Sequence, residues 1–292
     1  VTEPEDIARK ALGERARPEA IAQWIENHGY DKPRFWNPER PGDTMLVEHF
    51  RRMLTFDFGR SDADDVPITR RLREGMGPSL SLTLPLFLRA LPLGIGASLF
   101  VAFFRDTYID RAGVVVAVLM MSISLLLYII GGQYLIGKLL RWFPISGFDP
   151  NPQLIGRFLA LPIIIGLFAG LGENVRFYRT VFIEEAGRDH VRTARAKGCG
   201  ELQIMSRHVL RNGLIPIVTR VVLAIPFLFT GSLLLESFFG IPGLGSLTVD
   251  AIHGNDFATL RTMVFIGALL FIVGQILTDL VYTAVDPRVR LE

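Results

Sequence analysis

The chain has 292 residues, half of them hydrophobic and 21% charged, with a mean hydropathy of +0.36 and a formal net charge of +2. That balance is too apolar for an ordinary soluble domain, which carries about 25% charged residues, and too nearly neutral, without a basic stripe between aromatics, for a nucleic-acid partner. The single cysteine, Cys199, excludes an internal disulfide and any multi-cysteine metal site.

Residues 1–78 read as a soluble segment, with 13 basic against 15 acidic side chains. A helix is predicted from Pro18, with Glu19 in its first turn and Gly29 as its stop; Ile21, Trp24, Ile25 and His28 share one face. A second short helix is expected near residues 45–54. Five apolar segments follow, at about 79–104, 112–136, 154–172, 213–239 and 262–285. Each approaches the roughly 20 residues that cross a bilayer as helix, and none alternates like a barrel strand. The sequence therefore predicts an all-α polytopic membrane fold with five transmembrane helices, residues 79–292 forming the membrane domain. Pro85, Pro92, Pro162, Pro216 and Pro226 imply kinks, and Gly94, Gly96, Gly166, Gly170 and Gly231 would allow close helix approach.

The longest hydrophilic connection, residues 173–212, is basic. Placing it in the cytoplasm puts 12 basic residues on that side and 4 (Lys138, Arg141, Arg157 and Arg261) in the opposite short loops, which satisfies the positive-inside rule. The C-terminus is then cytoplasmic, and five crossings put residues 1–78 outside. With no export signal in that segment, one further transmembrane helix is expected upstream of Val1.

No site for nucleotide hydrolysis is visible. The one Gly-Lys pair, Gly137-Lys138, is followed by Leu139 and lacks the P-loop spacing, and there is no HExxH or GxSxG. Among ionisable residues inside apolar segments, Arg89 is the clearest, since a charge at the bilayer centre costs about 2.5–3.5 kcal/mol on insertion scales. Three readings stay open for it: lining an aqueous pathway, pairing with another helix, or snorkelling. Glu236 and Asp279 lie nearer segment ends, and Gln133 and Gln275 are candidate interhelical hydrogen-bonders. The shortage of mid-depth acids weighs against ion coupling. Within the polar connection, residues 182–197 are helix-compatible, Gly198 and Gly200 break the helix, and 201–211 resumes it. Small residues at this turn, ringed by basic side chains, would let a partner approach closely.

These residues carry a resemblance. DHVRTARAKG followed by RHVLRNGLIP resembles the cytoplasmic signature E-A-A-x3-G-x9-I-x-L-P of ABC-importer permeases, in the variant of the peptide/nickel transport family. Arg192, Thr193 and Ala194 take the E-A-A places and Gly198 the glycine; His208, Val209, Leu210, Arg211 and Asn212 stand where I-x-L-P-N would be. Glu184-Glu185-Ala186 does not fit, because no glycine stands where the spacing needs one. LLLESFFGIPGLGSLTVDAI is similar to the family's E-x-x-F-x-x-P-G-L-G signature through Glu236, Phe239, Pro242, Gly243, Leu244 and Gly245. ALGERARPEAIAQWIENHGYD with FDFGRS, and the ending VYTAVDPRVRLE, resemble the family's external segment and its D-P-R-x-R-L tail.

The resemblance implies a bacterial inner-membrane permease, embedded in the lipid bilayer and without a cofactor, that moves di- or oligopeptides. It implies a second homologous permease subunit, two cytoplasmic ATP-binding subunits and an external solute-binding protein as partners. It makes Arg192, Thr193, Ala194, Arg195, Lys197, Gly198, Gly200, His208, Leu210 and Asn212 the ATPase-coupling residues, and adds Glu236, Pro242, Gly243 and Gly245 as a signature. Import of nickel or another small solute by the same mechanism is the alternative; an ion-coupled secondary transporter and a membrane-anchored sensor are the competing classes.

Overall fold

The computed structural model describes residues 4–13, 16–28, 44, 47, 51 and 55–285. The described secondary structure is helical throughout, apart from one isolated antiparallel bridge between Arg60 and Pro67. Helices α1 (Pro4–Leu12) and α2 (Pro18–His28) pack on each other, with Ala8 and Ile21 buried. The predicted Pro18 start and apolar face of α2 are observed; the helix expected near 45–54 and the 286–291 tail motif lie outside the described residues.

The membrane domain is built on two long rods. Helix α3 (Ile68–Phe103) runs 36 residues and α6 (Ile155–Ala186) 32, and their pairing is the most extensive in the fold. At 1.5 Å per residue each exceeds 45 Å, longer than the roughly 30 Å of hydrocarbon, so both project beyond a bilayer. Small residues set the close approach. A Cβ at Gly94 would lie 3.0 Å from Asn174 Cβ, and one at Gly166 would lie 2.9 Å from the Leu86 side chain. Gly96 and Gly170 face no such neighbour, so of Gly166 and Gly170 only the first sets a close approach.

Between the rods, α4 (Tyr108–Ser122) and α5 (Leu125–Gly132) meet at 87°, and α5 continues as a π-helical turn, Gln133–Leu139. The expected single crossing at 112–136 is therefore sharply bent. Ile123 and Ser124 are extended, and the Ser124 hydroxyl caps α5 by accepting from the Leu127 N–H. Beyond α6 come α7 (Asp189–Ala196), α8 (Glu201–Gln203), a π-helical turn (Ile204–Val209) and α9 (Leu210–Ala224). A 3-10 turn (Pro226–Phe229), α10 (Leu233–Phe239), α11 (Leu244–His253) and α12 (Phe257–Val285) complete the domain.

Among the described residues three helices, α3, α6 and α12, are each long and apolar enough to cross a membrane, and the bent α4–α5 pair makes a fourth span if counted as one. The fifth expected crossing, 213–239, is not a single helix. Pro226 withholds an N–H at its break, and Gly231, at φ +74°, turns the chain into α10. The other four prolines expected to kink helices stay inside continuous ones: Pro85 and Pro92 in α3, Pro162 in α6 and Pro216 in α9. Residues 173–186 also depart from expectation. They continue α6 instead of opening a loop, so the polar connection proper begins at Gly187.

Leu82, Ile129, Leu161, Ile165, Leu235 and Phe239 form the central core, and Tyr178, Phe182, Val191, Ile204, Val209 and Ile217 a second core at the polar end. The outward faces of α4 and α12 carry exposed Val115, Leu119, Val264, Ile272 and Ile276. Apolar side chains facing outward in this number suit hydrocarbon and not water.

Candidate coupling turn, signature latch and groove

The polar end is assembled on a buried apolar floor. Val191 and Ala194 on α7, with Ile204, Met205 and Val209 on the following turn, pack against Tyr178 and Phe182 of α6. Helix α9 starts close to the same ring: a Cβ at Gly213 would lie 2.9 Å from the Phe182 ring. Asp189 opens α7 and Arg195 lies in its last turn, complementing the helix dipole. Gly198 leaves α7 at φ +81° and donates its N–H to the Arg195 carbonyl, and Gly200 extends the chain into α8. Arg195 then grips Glu201 across the turn with two hydrogen bonds, 2.8 and 3.1 Å long, and that carboxylate raises the guanidinium's pKa above its usual value. The turn is thereby braced at both ends.

The exposed side of this unit carries Arg192, Thr193, Arg195, Lys197, Gly198 and Gly200, whereas Ala194 is buried beneath them. No atom lies within 4 Å of where a Cβ would sit on Gly198 or Gly200, so the surface there is open. His208, Leu210 and Asn212 are half-buried on the continuation into α9, so the structure brings the predicted residues to one end but not all to one surface. Asn212 Nδ2 lies 3.1 Å from His190 Nε2, which is 3.4 Å from Glu185; Glu185 also pairs with Arg188 at 2.9 Å. Glu185, from the sequence register set aside above, is a buried anchor joining the end of α6 to α7 and, through His190, to α9. The helix expected across 182–197 is interrupted there, at Gly187 and Arg188.

Two charge pairs brace this end and were not foreseen. Arg179 on α6 meets Asp110 at the start of α4 with a two-pronged pair, 2.6 and 2.7 Å. Arg220 on α9 pairs with Glu173 on α6 and lies 4.6 Å over the Phe177 ring. Arg220 could have been found as a charge inside the 213–239 apolar segment; the Asp110 pairing, 69 residues distant, has no local signal.

The E-x-x-F-x-x-P-G-L-G stretch closes on itself. Glu236 is fully buried; its Oε1 accepts from the Ser232 N–H and the Ser79 hydroxyl, each at 2.9 Å, and its Oε2 accepts from the N–H groups of Gly245 (2.7 Å) and Ser246 (3.2 Å). The last two belong to the first turn of α11, where a carboxylate is favoured by unpaired N–H groups and the helix dipole. Gly243 and Gly245 leave room for it, since a Cβ on either would come within 3 Å of Glu236. Phe239 is buried in the central core and Pro242 is exposed. Gln133 donates to the carbonyls of Ile145 (3.1 Å) and Phe238 (3.0 Å), acting as the interhelical tie foreseen for it.

Arg89 lies on α3 beside an open groove of about 490 Å³ between α3 and α6, walled by Leu159, Ile163 and other apolar side chains. It donates to the Pro85 carbonyl of its own helix at 3.2 Å. Among the described residues no carboxylate pairs with it.

Residues 94–291 match the family described as the binding-protein-dependent transport system inner membrane component. The chain belongs to that family. It is a permease subunit of an ABC importer, a multi-pass inner-membrane protein that is not itself an enzyme, and its transport system includes a solute-binding protein and ATPase components. Similar proteins cover nearly the whole chain. A putative peptide transport system permease protein of Brucella abortus is 32% identical over 293 residues, covering 99% of this chain and 90% of that protein. A glutathione transport system permease protein, GsiC, of Salmonella choleraesuis is 30% identical over 292 residues, covering 98% of this chain and 90% of that protein.

Proposed function

We propose that this permease pairs with a second, similar subunit and carries di- or oligopeptides inward. In this reading an external solute-binding protein delivers the peptide, and two ATPase subunits bind the permease pair from the cytoplasm, one of them on the α7–Gly198–α8 turn. The C-terminus lies on the cytoplasmic side, and residues 1–78 face the solute-binding protein. Peptide cargo is supported by the named relatives, one a peptide permease and the other a permease for glutathione, itself a tripeptide. The observation that carries the docking role is the open turn at Gly198, held on a buried floor and braced by Arg195 and Glu201.

A rigid, well-anchored projection is what a lever requires. Movement of a docked ATPase would reach α6 through Val191 and Ile204 and α9 through Val209, because packed interiors transmit displacement without absorbing it. Alternating access then follows as a switch between two packed arrangements, biased by nucleotide on the partner subunits. The test is ATP-driven uptake of labelled di- and tripeptides by the reconstituted complex, with Thr193→Cys cross-linking to the ATPase as a contact assay. Peptide uptake with cross-linking to the ATPase is expected. Transport on an ion gradient without ATPase subunits, or a Thr193→Cys adduct only with lipid, would overturn the reading.

A further inference from the structure

The groove beside Arg89 has the chemistry of a ligand subsite. Its volume, about 490 Å³, falls within the range of roughly 300–1,000 Å³ typical of small-molecule sites. Leu159 and Ile163 give it an apolar wall, and Gly156 and Ile155 line its far end. Those two residues form the first turn of α6; the Ile155 N–H is already held by the Asn151 carbonyl at 2.9 Å, so what this helix start adds is the positive end of its dipole. Among the described residues the Arg89 guanidinium is the one ionisable side chain lining the groove, and its one hydrogen bond goes to the Pro85 carbonyl of its own helix. A guanidinium offers five N–H donors, and the Arg89 side chain is exposed, so most of its donor capacity is open to a ligand. On the same helix Pro85 has no N–H to give the Ser81 carbonyl, and Ser81 also lines the groove. Positive potential, spare donors, an acceptor and an apolar wall thus converge on one cleft.

We propose that this groove is a subsite for the carboxylate-bearing end of the transported peptide: Arg89 binds the carboxylate, and the Leu159–Ile163 wall receives an apolar side chain. This rests on the peptide-importer reading. The site would act in transit, after release from the solute-binding protein, because it is carried by the permease. A planar guanidinium matches a carboxylate with two parallel hydrogen bonds, which an ammonium does not reproduce.

The experiment compares initial ATP-driven uptake of a dipeptide with that of its C-terminal amide, in the reconstituted complex. Binding of both to the solute-binding protein is measured separately and divided out. The wild-type protein should favour the free acid. Arg89→Gln should reduce that preference about tenfold or more, as expected for one charge-assisted bidentate contact, and Arg89→Lys should retain part of it. An unchanged acid-to-amide ratio in Arg89→Gln overturns the subsite while leaving peptide transport standing. An equal fall for both peptides with loss of the second permease subunit on purification also overturns it, assigning Arg89 to a subunit interface. If the wild-type complex carries no peptide, the importer reading and the subsite fall together.

Discussion

The Ser79 hydroxyl donates to the buried Glu236 carboxylate at 2.9 Å and accepts from the Leu244 N–H at 2.7 Å, so one side chain of α3 binds both α10 and the start of α11. The two residues are 157 positions apart in sequence. Glu236 is therefore the latch that holds the glycine-rich turn at Gly243 and Gly245 to the long central helix, and the glycines are the space it occupies. Glu236→Ala would leave the Ser79 O–H and three backbone N–H groups without acceptors in a dry interior. At about 1–3 kcal/mol for each unsatisfied group, with partial relaxation, a loss of about 4 kcal/mol is expected. Glu236→Gln keeps the volume but turns an NH2 group toward N–H donors, for a loss of about 2 kcal/mol. Thermal unfolding of the purified permease in nanodiscs checks the order; a Glu236→Ala protein as stable as wild type would remove the latch.

Much of this architecture was legible in the residue pattern, and the failures share a cause. The start and apolar face of α2, the break at Gly198 and Gly200, and the bonding role of Gln133 follow from local chemistry, and the structure has them. What was missed depends on partners distant in sequence or on bends inside apolar runs. Nothing in VLMMSISLLLYII distinguishes a straight span from two helices at 87°, because hydropathy has no direction. Polar residues 173–186 looked like a loop, yet Tyr178 and Phe182 keep a buried face at helical spacing while Arg176 and Thr180 face outward. Glu236 stands near the end of its apolar segment, and its donors, Ser79 and the turn of α11, are not revealed by its own neighbourhood in sequence.

The Arg179–Asp110 pair fixes the start of α4 against α6. Both side chains are largely withdrawn from solvent, 23% and 9% exposed, so removing one partner strands the other. Asp110→Asn and Arg179→Gln should each cost about 2–3 kcal/mol, and the double variant much less than their sum. A coupling energy of about 1.5 kcal/mol or more in the resulting cycle is the expected outcome. Additive losses would show the contact to be incidental.

Acid stability should report Asp256, at the entrance to α12. Burial pushes its carboxyl up, but hydrogen bonds from Ser61, from the Thr259 hydroxyl and N–H, and from the Asp62 N–H outweigh burial and hold it below the ordinary value. A depressed folded-state pKa means stability that is complete above the unfolded value of about 3.9 and is lost as pH falls through the folded one. Unfolding midpoints between pH 7 and pH 3 should therefore drop more steeply below about pH 4 in wild type than in Asp256→Asn. The variant should already be weaker at pH 7, because its amide cannot accept on both sides. Parallel acid limbs would exclude Asp256 as a contributor.

Gly198 separates two explanations of the proposed coupling turn, backbone shape and surface smallness. Its φ of +81° costs an ordinary residue about 1 kcal/mol, yet the space where a side chain would go is empty, so replacement strains the turn without a clash. Asparagine tolerates the left-handed region far better than valine. Gly198→Val should strain the turn and obstruct a docking partner together. Gly198→Asn keeps the turn and adds only bulk on the open side. If the partner must approach the backbone closely, both variants insert at normal levels and both lose ATP-driven uptake by tenfold or more. If the turn's shape alone matters, Gly198→Asn transports normally and Gly198→Val does not. Docking against the bare glycine predicts the first pattern, read by uptake per mole of membrane-inserted permease alongside the ATPase rate of the complex. Normal transport by both variants would remove the turn from the coupling path.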